Sequence, residues 1–154
     1  MGRLKTVLVV GILAAVAGKV LLDGLRRKSQ QRGNEALRDD IKANLYVLVS
    51  EGKFIEEPLR ILPFDFATVR VAVKNVLFCF TRGRDELSVL VSPCHAPGES
   101  HLLAVVIAGL ESRDGAWPES MNSFPRIAAV LLPRLDALNQ AFAKDQYAEF
   151  KKKL

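Results

Sequence analysis

Histidine, cysteine and tryptophan are almost missing from this 154-residue chain, which holds two, two and one of them. That scarcity excludes most site chemistries before any motif is read. A closed zinc site wants four ligands, and Cys79, Cys94, His95 and His101 are the whole soft-ligand supply, with Cys79 inside a strand-like run. No metal is expected. A disulfide is not expected either, because Cys79 belongs to a strand and Cys94 lies beyond the end of the next one, too far along paired strands for sulfur to reach sulfur. Both read as free thiols, which suits a reducing compartment. Nucleotide cradles are also missing. No Gly-x-Gly-x-x-Gly occurs, and Gly11 to Gly18-Lys19 leaves six residues where a P-loop needs four, with Val20 in place of the Ser or Thr. No cofactor is expected. Asp39-Asp40 and Glu56-Glu57 are carboxylates on adjacent residues, which make no acid–base dyad by themselves. The one nucleophile chemistry left is Cys94 with His95 or His101.

A net positive charge is missing from most of the chain, although the whole carries +5. Residues 1–33 hold seven Lys/Arg and one Asp, whereas 34–154 hold 15 Lys/Arg against 16 Asp/Glu. Nucleic-acid binding needs a basic face on the folded part, so no nucleic-acid partner is expected.

What is present at the N-terminus is a long apolar run. Thr6–Gly18 is uncharged, Lys19 interrupts it, and Val20-Leu21-Leu22 resumes. A cleaved signal peptide would use Arg3 and Lys5 as its basic end and Ala15-Val16-Ala17 as its cleavage motif. A transmembrane helix would span Leu4–Leu22, close to the lower length limit. A buried soluble segment is the third option. Lys19, Arg26, Arg27, Lys28 and Arg32 outnumber Arg3 and Lys5, and basic flanks stay on the cytoplasmic side. That favours a retained anchor, with lipid bilayer contacted by residues 4–22. Gly11, Ala14, Ala15 and Gly18 have spacings that permit helix pairing in lipid. Met1–Thr6 also matches the myristoylation pattern.

Arg26–Gly33 is polar, basic and aperiodic, and reads as a linker. Asn34 is a candidate cap for a helix running to about Glu51, with Leu37, Ile41, Leu45 and Leu48 on one face and Gly52 as its stop. Pro58 and Pro63 argue against a regular element over Phe54–Phe66, where Phe54, Ile55, Leu59 and Ile61 are expected to be partly buried. Strict alternation then marks Thr68–Val73 as a strand. A two-residue turn, Lys74-Asn75, sets Val73 opposite Val76, Val71 opposite Phe78 and Val69 opposite Phe80. A second hairpin is expected around Arg82–Asp85, with Thr81 facing Glu86, Phe80 facing Leu87, Phe78 facing Val89, Val76 facing Val91 and Cys79 facing Ser88. A one-residue slip would scatter the apolar face. Ser100–Glu111 reads as a helix, although Val105 and Val106 would also suit a strand. From Ser123 to Phe142 the three-to-four spacing marks an amphipathic helix that Pro133 should kink or split. Asp145 can cap a last helix carrying Tyr147 and Phe150.

The second face of this sheet presents Ala72, Leu77, Cys79 and Leu90 within a rim of Arg70, Thr81, Ser88 and Glu86. An apolar centre with a charged rim is the composition of an interface core, so these four are the candidate partner-binding residues unless a helix covers them. Over about Leu45–Phe150, the run Leu45…Glu51-Gly52-Lys53-Phe54, then Val69–Val73, then Phe78–Val89, then two helices, resembles small bacterial α+β proteins. Some of these are similar to immunity proteins, which bind and block a toxin. The resemblance implies an α+β fold, carries no site residue with it, and does not include the membrane segment.

The expected fold is therefore α+β, a three-stranded antiparallel meander flanked by helices and preceded by an N-terminal transmembrane (signal-anchor) helix. Residues 1–25 are the anchor, 26–33 a basic juxtamembrane linker and 34–154 the domain. The expected function is a non-catalytic, membrane-tethered interaction module, single-pass and with its C-terminal domain in the cytoplasm, as at a bacterial inner membrane. Its partner would be a second copy or another protein. The alternatives are a small thiol enzyme using Cys94 with His95 or His101, and an exported soluble protein released by signal-peptide cleavage.

Overall fold

A computed structural model describes residues 2–56, 66–84, 86–112 and 121–154, with the side chains of 2–18 outside that description. Pro58, Leu59, Ile61, Pro63, Asp85 and Trp117 also lie outside it. The described chain is α+β. Helices α1 (Gly2–Asn44) and α2 (Tyr46–Glu51) precede strands β1 (Lys53–Ile55), β2 (Ala67–Val73), β3 (Val76–Arg82), β4 (Leu87–Pro93) and β5 (His101–Leu102). Then come α3 (Leu103–Leu110), α4 (Phe124–Leu131), a 3-10 turn (Leu132–Arg134), α5 (Leu135–Ala141) and α6 (Tyr147–Lys151).

The strands form one antiparallel meander in the order β1-β2-β3-β4-β5. It is wider than the expected three strands. β1 was concealed by the prolines that follow it, and β5 is only two residues long, taken from the start of the expected helix at Ser100. Alternation places Val69, Val71 and Val73 of β2, Val76, Phe78 and Phe80 of β3, and Val89 and Val91 of β4 in one apolar core. Leu37, Ile41, Leu45 and Leu48 meet them from α1 and α2, and Ile127, Leu131 and Leu138 from α4 and α5. Burial of these side chains is what stabilises the domain.

The β2–β3 register is the expected one, with Val73 opposite Val76, Val71 opposite Phe78 and Val69 opposite Phe80. The β3–β4 register is not. Phe80 faces Val89, Phe78 faces Val91 and Cys79 faces Leu90, while Arg82 pairs with Leu87. The ladder has slid by two residues, which leaves every side chain on its expected face, so the apolar pattern cannot tell the two registers apart. The tip decides. Gly83 N–H donates to the Glu86 carbonyl at 2.8 Å, and a Cβ on Gly83 would meet the Phe66 ring at 2.8 Å. Arg82, kept within the strand, reaches Asp40 of α1 at 2.7 Å.

Two caps expected from sequence are not made. α1 runs unbroken through Arg26–Gly33 and past Asn34. The Asn34 Oδ1 instead accepts the Thr68 N–H at 2.9 Å, fastening the helix to β2. Asp145 does not cap α6, whose first flanking residue, Gln146, makes no side-chain capping bond. Pro133 does split the C-terminal helix, through the 3-10 turn that separates α4 from α5. Gly52 ends α2 because backbone crowds it: a Cβ there would lie 2.6 Å from the Ala72 and Leu48 carbonyl oxygens.

Candidate functional site

Lys19–Arg32 belongs to α1 but not to the core. Nearly all of it is exposed, and the first buried residue among the described side chains is Leu37. Val20 and Leu21 are each 67% exposed, Leu22 56% and Leu25 57%. At about 100° per residue these four spread over about 200° of the helix circumference, a broad partial collar with Lys19 and Asp23 on the remaining side. A free helix in water gains nothing from such residues, since helices in proteins are stabilised mainly by packing an apolar face. Among the described residues no helix is long and apolar enough to cross a membrane. The run Thr6–Gly18 lies in the part of α1 whose side chains are outside the description.

The candidate partner-binding residues share the second face of the sheet, as alternation requires. The observed register aligns Ile55, Arg70, Cys79, Leu90 and Leu102 in one row across all five strands. Leu77 is only 8% exposed and is a packing residue of the domain. Ala72, Cys79 and Leu90 are half-buried, and Leu102 is 53% exposed. The exposed apolar end of the row therefore lies on β5, a strand that sequence reasoning missed.

Cys94 and the two histidines do come near one another in the chain, but their contacts go elsewhere. Cys94 follows β4 and its N–H donates to the Asn75 carbonyl at 2.8 Å. Burial raises its thiol pKa, more than the nearby Lys53 lowers it, which is the opposite of what activates a nucleophilic cysteine. Cys79 and Cys94 are both free. No hydrogen bond joins Cys94 to either imidazole among the described residues. His101 Nε2 lies 3.0 Å from the Tyr147 hydroxyl, and the His95 ring meets Tyr147 edge-on with centroids 5.8 Å apart.

Tyr147 is thus the hub of a polar cluster that no sequence motif announces. The Glu99 carboxylate lies close enough to the hydroxyl to shift its pKa, and it accepts from Lys151 Nζ at 2.7 Å. Burial first, then the Glu99 carboxylate, pushes the Tyr147 pKa up to about 12. Lys151 first, then Tyr147, lowers that of Glu99. The chain His101–Tyr147–Glu99–Lys151 ties the loop after β4 to α6. Such a neutral, buried phenol is suited to fastening and not to proton transfer near neutral pH. Among the described residues no cluster of His, Cys, Asp and Glu could hold a metal ion.

A further open groove of about 360 Å³ lies at the hairpin tip, lined among others by Asp40, Arg82, Arg84, Glu86 and Phe124. Arg82 lies 5.4 Å from the Phe124 ring centroid and is paired to Asp40. Two arginines facing two carboxylates leave the groove without a net charge to select a ligand. Comparison with protein-family models, curated proteins and solved structures gives no match to this chain.

Proposed function

We propose that the protein is a membrane-tethered binding module without catalytic activity of its own, held by the N-terminal part of α1 with its domain on the cytoplasmic side. The observation that carries this reading is the apolar collar Val20–Leu25, exposed on several sides of a helix that continues the uncharged run Thr6–Gly18. A helix lying in the plane of a membrane would segregate its apolar and basic residues to opposite faces. Here the uncharged run Thr6–Gly18 precedes the basic cluster along the axis, the order of a helix that enters the bilayer end-on. The excess of basic residues after the run supports the cytoplasmic orientation. A protein partner or a second copy is the ligand class best suited to the domain, with the row from Cys79 through Leu90 to Leu102 as its contact surface. The raised thiol pKa and the engaged imidazoles count against the thiol-enzyme alternative.

High-salt washing tests the tether: the protein should stay in the membrane pellet, and release by salt would refute it. Alkylation of Cys94 tests the absence of thiol catalysis, and partner capture by full-length protein in detergent should survive it. Loss of capture on alkylation would move the binding surface to the Cys94 loop.

A further inference from the structure

We propose that the stretch of α1 between the apolar collar and the domain is a docking site for anionic lipid headgroups, with Arg26, Arg27, Lys28 and Arg32 as its ligating cations. This rests on the membrane reading of α1 above. The segment is unbroken helix, so its side chains are held at fixed positions and not on a flexible linker. Four cations stand between Leu25 and Asn34, with no carboxylate among them. Arg26, Arg27 and Lys28 diverge by about 100° each, and Arg32 points between two of them, so together they ring the axis. None of the four is ion-paired among the described residues, whereas Arg82, Arg134 and Lys151 of the domain are paired to Asp40, Glu111 and Glu99.

Dimensions favour a lipid surface over a small free anion. Leu25 to Arg32 spans about 10 Å of helix axis, comparable to the headgroup layer on one side of a bilayer. Cations spread over that length on a convex surface cannot converge on one phosphate, but a layer of headgroups surrounds the helix and meets each of them. The buried part of the domain begins at Leu37, about 18 Å beyond Leu25. The domain is thereby held just outside the headgroup layer, at a set distance from it.

Full-length protein reconstituted into vesicles of equal parts phosphatidylglycerol and phosphatidylcholine, then extracted with its tightly held lipid, supplies the test. The retained lipid, measured by mass spectrometry, should be enriched in phosphatidylglycerol about fivefold or more, since each basic residue near an anionic surface contributes about that factor. The variant R26Q/R27Q/K28Q/R32Q should return the ratio to that of the bulk vesicles while still floating with them. Flotation with purely phosphatidylcholine vesicles in high salt is read separately. Protein that floats there but retains lipid at the bulk ratio would overturn the headgroup site and leave the tether standing. Failure to float with either vesicle would remove the tether and this site together. Nucleic acid retained in place of lipid would also overturn the proposal.

Discussion

Phe78 and Phe80 are the largest fully buried side chains of the sheet, and Phe78 is set between Val71 and Val91 with its ring centroid 6.4 Å from that of Phe80. Truncation to alanine removes the buried ring and leaves a cavity, so Phe78→Ala should cost about 3–5 kcal/mol in denaturant unfolding. A loss below about 1 kcal/mol would place the core elsewhere. Tyr147 makes a pH prediction. Its folded pKa of about 12 is raised from an ordinary value near 10, so its contribution is fully present below pH 10 and is lost as pH rises toward 12. Glu99 works in the opposite sense: its lowered pKa makes its contribution present above the ordinary carboxylate range and lost as pH falls through the folded value. Ultraviolet titration of tyrosinate should show a component near pH 12 that Tyr147→Phe abolishes. A Tyr147→Phe chain with the same alkaline stability profile as the parent would deny the cluster its role. Asn139, buried in α5, accepts the Asn75 N–H with its Oδ1, accepts from the Asn75 amide with its carbonyl and donates to the Leu135 carbonyl. Asn139→Ala should therefore cost about 1–3 kcal/mol, read as a lower midpoint in the same unfolding assay.

At the scale of elements, α1 does two jobs that separate near Asn34. From Lys19 to Arg32 its side chains are mostly exposed, while Leu37 and Ile41 belong to the core. Ser29→Pro should therefore break the helix where Ser29 is exposed and leave the unfolding free energy of the domain unchanged. Asn34→Ala should lower it by about 1 kcal/mol through the Thr68 N–H that loses its acceptor. Equal effects of the two substitutions would mean that the exposed stretch packs on the domain after all. The faces of β2, β3 and β4 were legible in the sequence because a period of two needs only alternation. The β3–β4 register was not, because a two-residue slide preserves every face and only the contacts of Gly83 and Arg82 choose between the two. The continuity of α1 was missed for an instructive reason. Arg26–Gly33 was read as a linker for want of periodicity, yet a helix surrounded by solvent on all sides has no periodicity to show. Its Arg, Lys and Gln residues are good helix formers, and Gly33 alone argues otherwise. β1 and β5 are too short to leave a pattern. The Tyr147 cluster joins residues 46 positions apart, such as His101 and Tyr147, and no local motif carries such a pairing.

In the whole molecule a folded α+β domain follows a helix of 43 residues, about 65 Å long, in which the uncharged run Thr6–Gly18 precedes the basic cluster Arg26–Arg32. In the membrane reading proposed above, that order sets the side and the distance of the domain from a bilayer. The claim is tested most directly by intact mass and protease accessibility of the native chain in sealed membrane vesicles of both orientations. The account predicts an uncleaved N-terminus, retention in the pellet after alkaline extraction, and digestion of the domain only in inverted vesicles. A chain that begins at Gly18 and is recovered in the supernatant would contradict it.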